Sequence, residues 1–201
     1  MRRKSLLKEA SIALAITASM AMALPASAMK LQPYNLQKLT SDSQSIITGE
    51  VIKMTDGFDN NRPYTEITIA VAEDAKGKLK KDSTYTFRQF GLIKPRAMGN
   101  GKVYLGVTPE GFAKWNVGEN VVAFMYKPAS ITGFQTTAGM AQGKFVVRDG
   151  KVMNEFANIG LFENMNPTDI SEENRNMLSN PNGVDLSIFM NLVTKMAGGQ
   201  Q

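Results

Sequence analysis

The plainest pattern in this chain is a two-residue alternation, with Ile67, Ile69 and Val71 on one side of an extended backbone and Glu66, Thr68 and Ala70 on the other. Successive side chains of a strand point to opposite faces, so the run reads as a half-buried β-strand. Runs rich in β-branched and aromatic residues at 46–54, 83–90, 121–126 and 144–148 predict further strands. Turn-forming clusters, Asp56-Gly57, Asn60-Asn61 and Gly99-Asn100-Gly101, separate them. The sharpest hairpin signal is Asp149-Gly150, flanked by Phe145-Val146-Val147 and Val152-Met153, because a two-residue turn needs the positive φ angles that Asp and Gly accept. Near both ends the period changes. Residues 36–43 predict a short helix. Ile188, Phe189, Leu192, Val193 and Met196 recur at helical spacing behind Asp185 or Ser187 as a cap, which predicts an amphipathic helix over 185–197. Its polar face carries only Lys195 as a cation, so packing against the strands is expected rather than a membrane contact. Residues 157–184, rich in Asn, Pro and Glu without strand period, read as an irregular connection with a helical turn near 171–178.

The first 28 residues have a different grammar. Arg2, Arg3, Lys4 and Lys8 precede an apolar run from Ile12 to Leu24, and Pro25-Ala26-Ser27-Ala28 closes on small residues. This is the layout of an export signal with an apolar core too short for a membrane span, and cleavage is expected before Met29. General secretion is favoured over the twin-arginine route because Ser5 stands where a bulky apolar residue is usual. A periplasmic or secreted product is therefore expected, with no stable membrane span in the mature chain. Of the 201 residues, 173 would remain, enough for one domain with a real core. The signal holds four of the 23 basic and one of the 18 acidic residues, leaving 19 against 17, a balance of +2. Such a balance lacks the dense cation supply that nucleic-acid binding needs.

Composition then removes chemistry. The chain has no histidine, which excludes Ser-His-Asp and Cys-His relays and the commonest zinc ligand. It has no cysteine, so neither disulfides nor a lipobox anchor is open to it. The S-x-x-K matches at Ser5 to Lys8 and Ser27 to Lys30 both have their serine in the signal, and no G-x-S-x-G occurs. Glu50, Glu66, Glu73, Asp74, Glu110 and Glu119 fall at polar strand positions or turns, where solvated charge is the expectation and a glycosidase pair is not. Gly139-Met140-Ala141-Gln142-Gly143-Lys144 is one residue short of a phosphate loop and reads as a turn entering a strand. The stretch 56–61 offers hard oxygen ligands without EF-hand spacing, and the tip of a long hairpin is its expected role. Trp115 is either a recognition aromatic or a core plug, the latter being the commoner fate of an aromatic so close to a strand.

The order of these signals resembles the inhibitory domain of the tissue inhibitors of metalloproteinases, an OB-like barrel of the netrin-module type. Met29-Lys30-Leu31-Gln32-Pro33 sits where that family begins C-x-C-x-P, and Ile46-Ile47-Thr48-Gly49-Glu50-Val51 follows at the distance of its first strand. Ile67 to Gly77, ending in Lys76-Gly77, and Val117-Gly118-Glu119-Asn120 leading into Val121 complete the comparison. The layout, with Ala141-Gln142-Gly143-Lys144-Phe145 near its end, is also similar to a group of exported bacterial proteins of unknown function. The resemblance implies a metalloprotease partner whose zinc is chelated by the mature N-terminal amine and carbonyl, here those of Met29. The disulfides that brace this segment in the family have no counterpart here.

The expectation is a mostly-β fold, an OB-like (TIMP-like) closed β-barrel over 29–156 with an added hairpin, then the connection 157–184 and the helix 185–197. Closure would hide strand edges without disulfides. The expected function is non-enzymatic and cofactor-free: a protein-binding barrel, with regulation or inhibition of an exported metalloprotease as the partner the resemblance implies, or another envelope protein. Candidate contact surfaces are 29–33, with Met29 and Lys30, 55–63, with Phe58 and Arg62, and 91–101, and Trp115 is the candidate aromatic of a ligand-binding barrel face. The rivals are a small-ligand or glycan-binding envelope protein and, further off, a carboxylate-based hydrolase.

Overall fold

The computed structural model describes residues 32–165 and 183–198. Helix α1 (Leu36–Asp42) leads into a long hairpin of β1 (Ser45–Asp59) and β2 (Arg62–Asp74), then β3 (Thr84–Phe90). Two short strands, β4 (Arg96–Ala97) and β5 (Val103–Tyr104), precede β6 (Asn120–Met125). A 3₁₀ turn (Met140–Gly143) enters the hairpin β7 (Lys144–Arg148) and β8 (Lys151–Asn154), and β9 (Val184–Asp185) runs into helix α2 (Leu186–Gly198). Seven strands form one antiparallel sheet in the order β3-β2-β1-β6-β7-β8-β9, and β4 and β5 pair separately. No described helix is long and apolar enough to cross a membrane.

The central strands are apolar on both faces because both faces are covered. Ile46, Val122, Phe124, Phe145 and Val152 pack with Leu36 and Leu39 of α1 and Phe189, Leu192 and Val193 of α2. There Phe124, Phe145 and Phe189 form a ring triad with centroids 5.1–6.2 Å apart. The intervening residues, Ile47, Val51, Val121, Ala123 and Met125, face a second core with Ile67, Ile69, Val71, Phe87 and Trp115. β1 pairs with β2 along one edge and β6 along the other, and irregularities against β2 at Thr48/Gly49 and Val51/Lys53 bend and twist it. Gly49 is required at the first of these, since a Cβ there would lie 2.0 Å from the Ala70 carbonyl oxygen.

The ladder itself does not close, since β3 and β9 end it without pairing to each other. Beside β3, however, runs segment 134–137. Thr137 bridges Met125, the Tyr126 N–H donates to the Thr136 carbonyl (3.1 Å), and the Gln135 N–H donates to the Arg88 carbonyl (2.8 Å). Tyr85 Oη donates to Gln135 Oε1 (2.9 Å), so this segment spans from β6 to the outer edge of β3 around the second core.

Candidate protein-interaction surface

Past the last β1–β6 rung, Glu50–Asn120, the β1–β2 hairpin continues with β3 alongside as far as Tyr64 opposite Phe90, and its end is an arm whose last rungs are Phe58–Pro63 and Asp59–Arg62. Its turn is Asn60-Asn61, with φ of 47° and 62°, the left-handed pair that a two-residue turn requires. Asp56-Gly57, expected as a turn, instead lies inside the ladder opposite Thr65 and Tyr64. Gly57 lies close over the Tyr64 ring. Phe58 is exposed on the arm with its ring 5.1 Å from that of Tyr104, and Arg62 is exposed at the arm's end.

After β3 the chain forms a flap. Arg96 pairs with Tyr104 and Ala97 with Val103, the Met98 N–H donates to the Lys102 carbonyl (3.0 Å), and Gly99-Asn100-Gly101 makes the tip. At its base the Leu92 N–H donates to the Val107 carbonyl (3.2 Å). One carboxylate holds the flap to the arm: Asp56 accepts from the backbone N–H groups of Ile93 and Lys94, both at 2.9 Å, and from the Arg96 guanidinium. Burial pushes the Asp56 carboxyl up, but Arg96 and the two N–H donors outweigh it and hold the group below the ordinary carboxylate range.

The β4–β5 register sets Ala97 beside Val103, and Ile93, Leu105 and Val107 lie in the segments that lead into and out of these two rungs. These side chains are open to solvent: Leu105 is 68% exposed, Val103 55%, Val107 53% and Ile93 42%. Residues 91–107 contain Lys94, Arg96 and Lys102 and no carboxylate. Several large apolar side chains left exposed on one flap that Asp56 clamps to the hairpin are a feature by which interaction surfaces are recognised.

The structure thus joins two of the three stretches singled out from sequence, 55–63 and 91–101, through Asp56 and the Phe58–Tyr104 contact. Met29 and Lys30 lie outside the described residues. Trp115 is on no surface. It is 6% exposed within the second core, edge-on to Phe87 at 5.3 Å, with its indole N–H on Gln89 Oε1 (3.3 Å). Lys144 Nζ stands 5.0 Å from its ring centroid and donates to Glu119 and to the Lys114 carbonyl.

Two carboxylates expected to be solvated are not. Glu119 is ion-paired with buried Lys144 and also accepts from both nitrogens of Asn116. Asp74 is 8% exposed and accepts from the N–H groups of Ile46, Lys76, Lys78 and Leu79, tying the β2 end to the β1 start. The sequence reading passed over Val103, Leu105 and Val107, although their two-residue spacing is the same signal that located β2. It also missed the clamp role of Asp56. That carboxylate is committed to Arg96 and two N–H groups, and no cluster of three or more Asp or Glu among the described residues could hold a metal ion. Comparison with known protein families, with curated proteins and with solved structures gives no match for this chain.

Proposed function

We propose that this chain is an exported, non-enzymatic protein-binding module built on an OB-like barrel, and that the outer face of the flap, with Phe58 beside it, is its contact surface. The observation that carries the reading is the set of apolar side chains of Ile93, Val103, Leu105 and Val107, solvent-exposed on a flap that Asp56 fixes to the arm. A side chain held in place before binding loses less entropy when a partner covers it. The barrel assignment is supported by segment 134–137, which lies between β6 and the free edge of β3 and surrounds the second core on the side the ladder leaves open. The resemblance to the metalloprotease inhibitors makes a metalloprotease the first partner to test, with the Met29 amine reaching its zinc. Export rests on the basic, apolar and small-residue order of the first 28 residues.

The decisive experiment is site-specific photocrosslinking in the native cell, with a photoactivatable residue at Met98, compared between the otherwise native chain and L105D. A discrete protein adduct that disappears with L105D supports the surface. Adducts unchanged by L105D, or none from the native chain, would refute it. Inhibition of the captured protein by a chain beginning at Met29 but not by one with an extra residue ahead of it would identify the zinc-chelating mode.

A further inference from the structure

The β7–β8 hairpin has one face packed under the helices and one on which no helix or strand packs. Phe145 and Val152 point into the helix-covered core, so Lys144, Val146 and Arg148 point the other way, with Met153 opposite Val146 and Lys151 opposite Arg148. The loop carrying Ala113, Lys114 and Asn116 walls this face and leaves a cavity of about 510 Å³. That lies in the range of small-ligand sites. We propose that this cavity binds an amphipathic carboxylate: a small organic monoanion with its carboxylate at Arg148, its apolar body along Val146 and Met153, and a neutral hydrogen-bond acceptor at Lys144. The proposal is independent of the flap.

Each end of the cavity specifies a different group. At the inner end the Lys144 side chain is 7% exposed. Its ammonium has three donors, of which two are taken by the Lys114 carbonyl and the Glu119 carboxylate. The third has no oxygen acceptor among the described residues. Glu119 already balances the charge, so a second carboxylate here would meet like charge, whereas a hydroxyl or carbonyl oxygen supplies the missing acceptor without it. At the outer end the cations differ in their commitments. Lys114 pairs with Glu155 and Lys151 with Asp185, while Arg148 has no ion pair among the described residues, although Asp149 of the hairpin turn lines the same end. An unpaired guanidinium matches a carboxylate in a bidentate fork. Four strand rises carry the chain from Lys144 to Arg148, about 13 Å, with the apolar pair Val146 and Met153 between. A chain of about eight methylenes bearing a carboxylate at one end and a hydroxyl at the other fits that order.

The test uses the mature protein and three probes of one length: 10-hydroxydecanoate, decanoate and decane-1,10-diol. Binding is read by calorimetry and by the emission of Trp115, the sole tryptophan, whose ring lies beside Lys144. The expected order is hydroxydecanoate first, decanoate about threefold weaker and the diol at least about tenfold weaker, with a shift in Trp115 emission on saturation. R148Q is expected to lower hydroxydecanoate affinity about tenfold with unchanged melting, and V146F to block binding by filling the cavity. Absence of saturable binding at millimolar concentration, equal affinity of the diol, or unchanged affinity in R148Q would each overturn the proposal.

Discussion

The flap is held by so few groups that removing one should release it without unfolding the rest. Asp56→Ala deletes two charge-assisted bonds to the Ile93 and Lys94 N–H groups and the contact with Arg96. Hydrogen bonds to a charged group contribute about 1.5–3 kcal/mol each, and the low end applies where donors are exposed, giving roughly 3 kcal/mol for the two. The Arg96 side chain is 48% exposed, so its ion pair adds at most about 0.5 kcal/mol. A loss of about 3 kcal/mol corresponds to roughly a hundredfold rise in the open population. A two-stranded hairpin is marginal alone, so an undocked flap should lose its internal pairing. The assay is residue-resolved amide hydrogen exchange under native conditions. The reporters are Leu92 and Met98, whose carbonyl acceptors lie within the flap and are untouched by the substitution. Both should exchange roughly a hundredfold faster in Asp56→Ala while amides of β1 and β6 keep their rates. Because the folded-state pKa of Asp56 is depressed, the clamp is whole above the ordinary carboxylate range and is lost as pH falls through the folded value. Wild-type flap exchange, corrected for intrinsic rates, should therefore accelerate in acid, and the variant's should not. If exchange at Leu92 and Met98 rose less than threefold, or rose together with β1 and β6, the flap would not be a separately held unit.

Glu119→Gln leaves the buried Lys144 ammonium without its counter-charge and should cost about 3–5 kcal/mol in denaturant unfolding, much of it recovered in the E119Q/K144M double variant. Burial pushes Glu119 up, but Lys144 and Asn116 hold it below the ordinary range, so its contribution is full above that range and lost on acidification, a dependence that E119Q should remove. Phe189→Ala opens the ring triad beneath α2 and should cost about 3–5 kcal/mol, with faster exchange along the helix. Intact-mass measurement of the exported protein should show a chain beginning at Met29, and retention of residues 12–24 would remove the basis for export by a cleaved signal.

The parts of the fold visible in the sequence are those governed by local physics. The alternation at Ile67, Ile69 and Val71 is the buried set of β2, and β7 spans the residues its apolar run occupies. Asp149 and Gly150 take φ of 49° and 72°, the left-handed pair that a two-residue turn requires. Helix α2 starts behind Asp185, which accepts from the Ser187 N–H at 3.0 Å. What misled is equally specific. Asp56-Gly57 has turn composition, but the ladder runs through it since the carboxylate is needed facing the flap and Asn60-Asn61 supplies the turn. The flap reads as loop because Pro95, Gly99, Gly101 and Gly106 interrupt its period, yet Gly106 is there to let its backbone approach Lys94 and Pro95 within 2.7 Å of a would-be Cβ. Glu119 looks like one more turn acid until Lys144, 25 residues later, is placed beside it. Which strands pair, and whether a sheet closes, depends on contacts between distant residues that no window of sequence contains.

The position of the flap has a consequence for how the molecule divides its stability. Both hydrophobic cores lie against the seven-stranded sheet, one beneath the helices and one around Trp115, and neither contains a residue of 93–107. The exposed apolar side chains therefore rest on the arm rather than on either core, and Asp56 and the Phe58–Tyr104 contact are the joints. Substitution at Val103, Leu105 or Val107 removes no core contact, so its cost to folding should be small while its effect on the proposed partner is large. Substitution at Asp56 has a different signature, because it leaves the apolar side chains intact but loosens the frame that presents them. If a partner binds the flap in its docked form, Asp56→Ala should reduce affinity by about the fraction of molecules left open. L105D should abolish binding whatever the state of the frame. A variant pair with equal losses would mean that docking and contact are one event, whereas a graded loss at Asp56 and a complete one at Leu105 separates presentation from recognition.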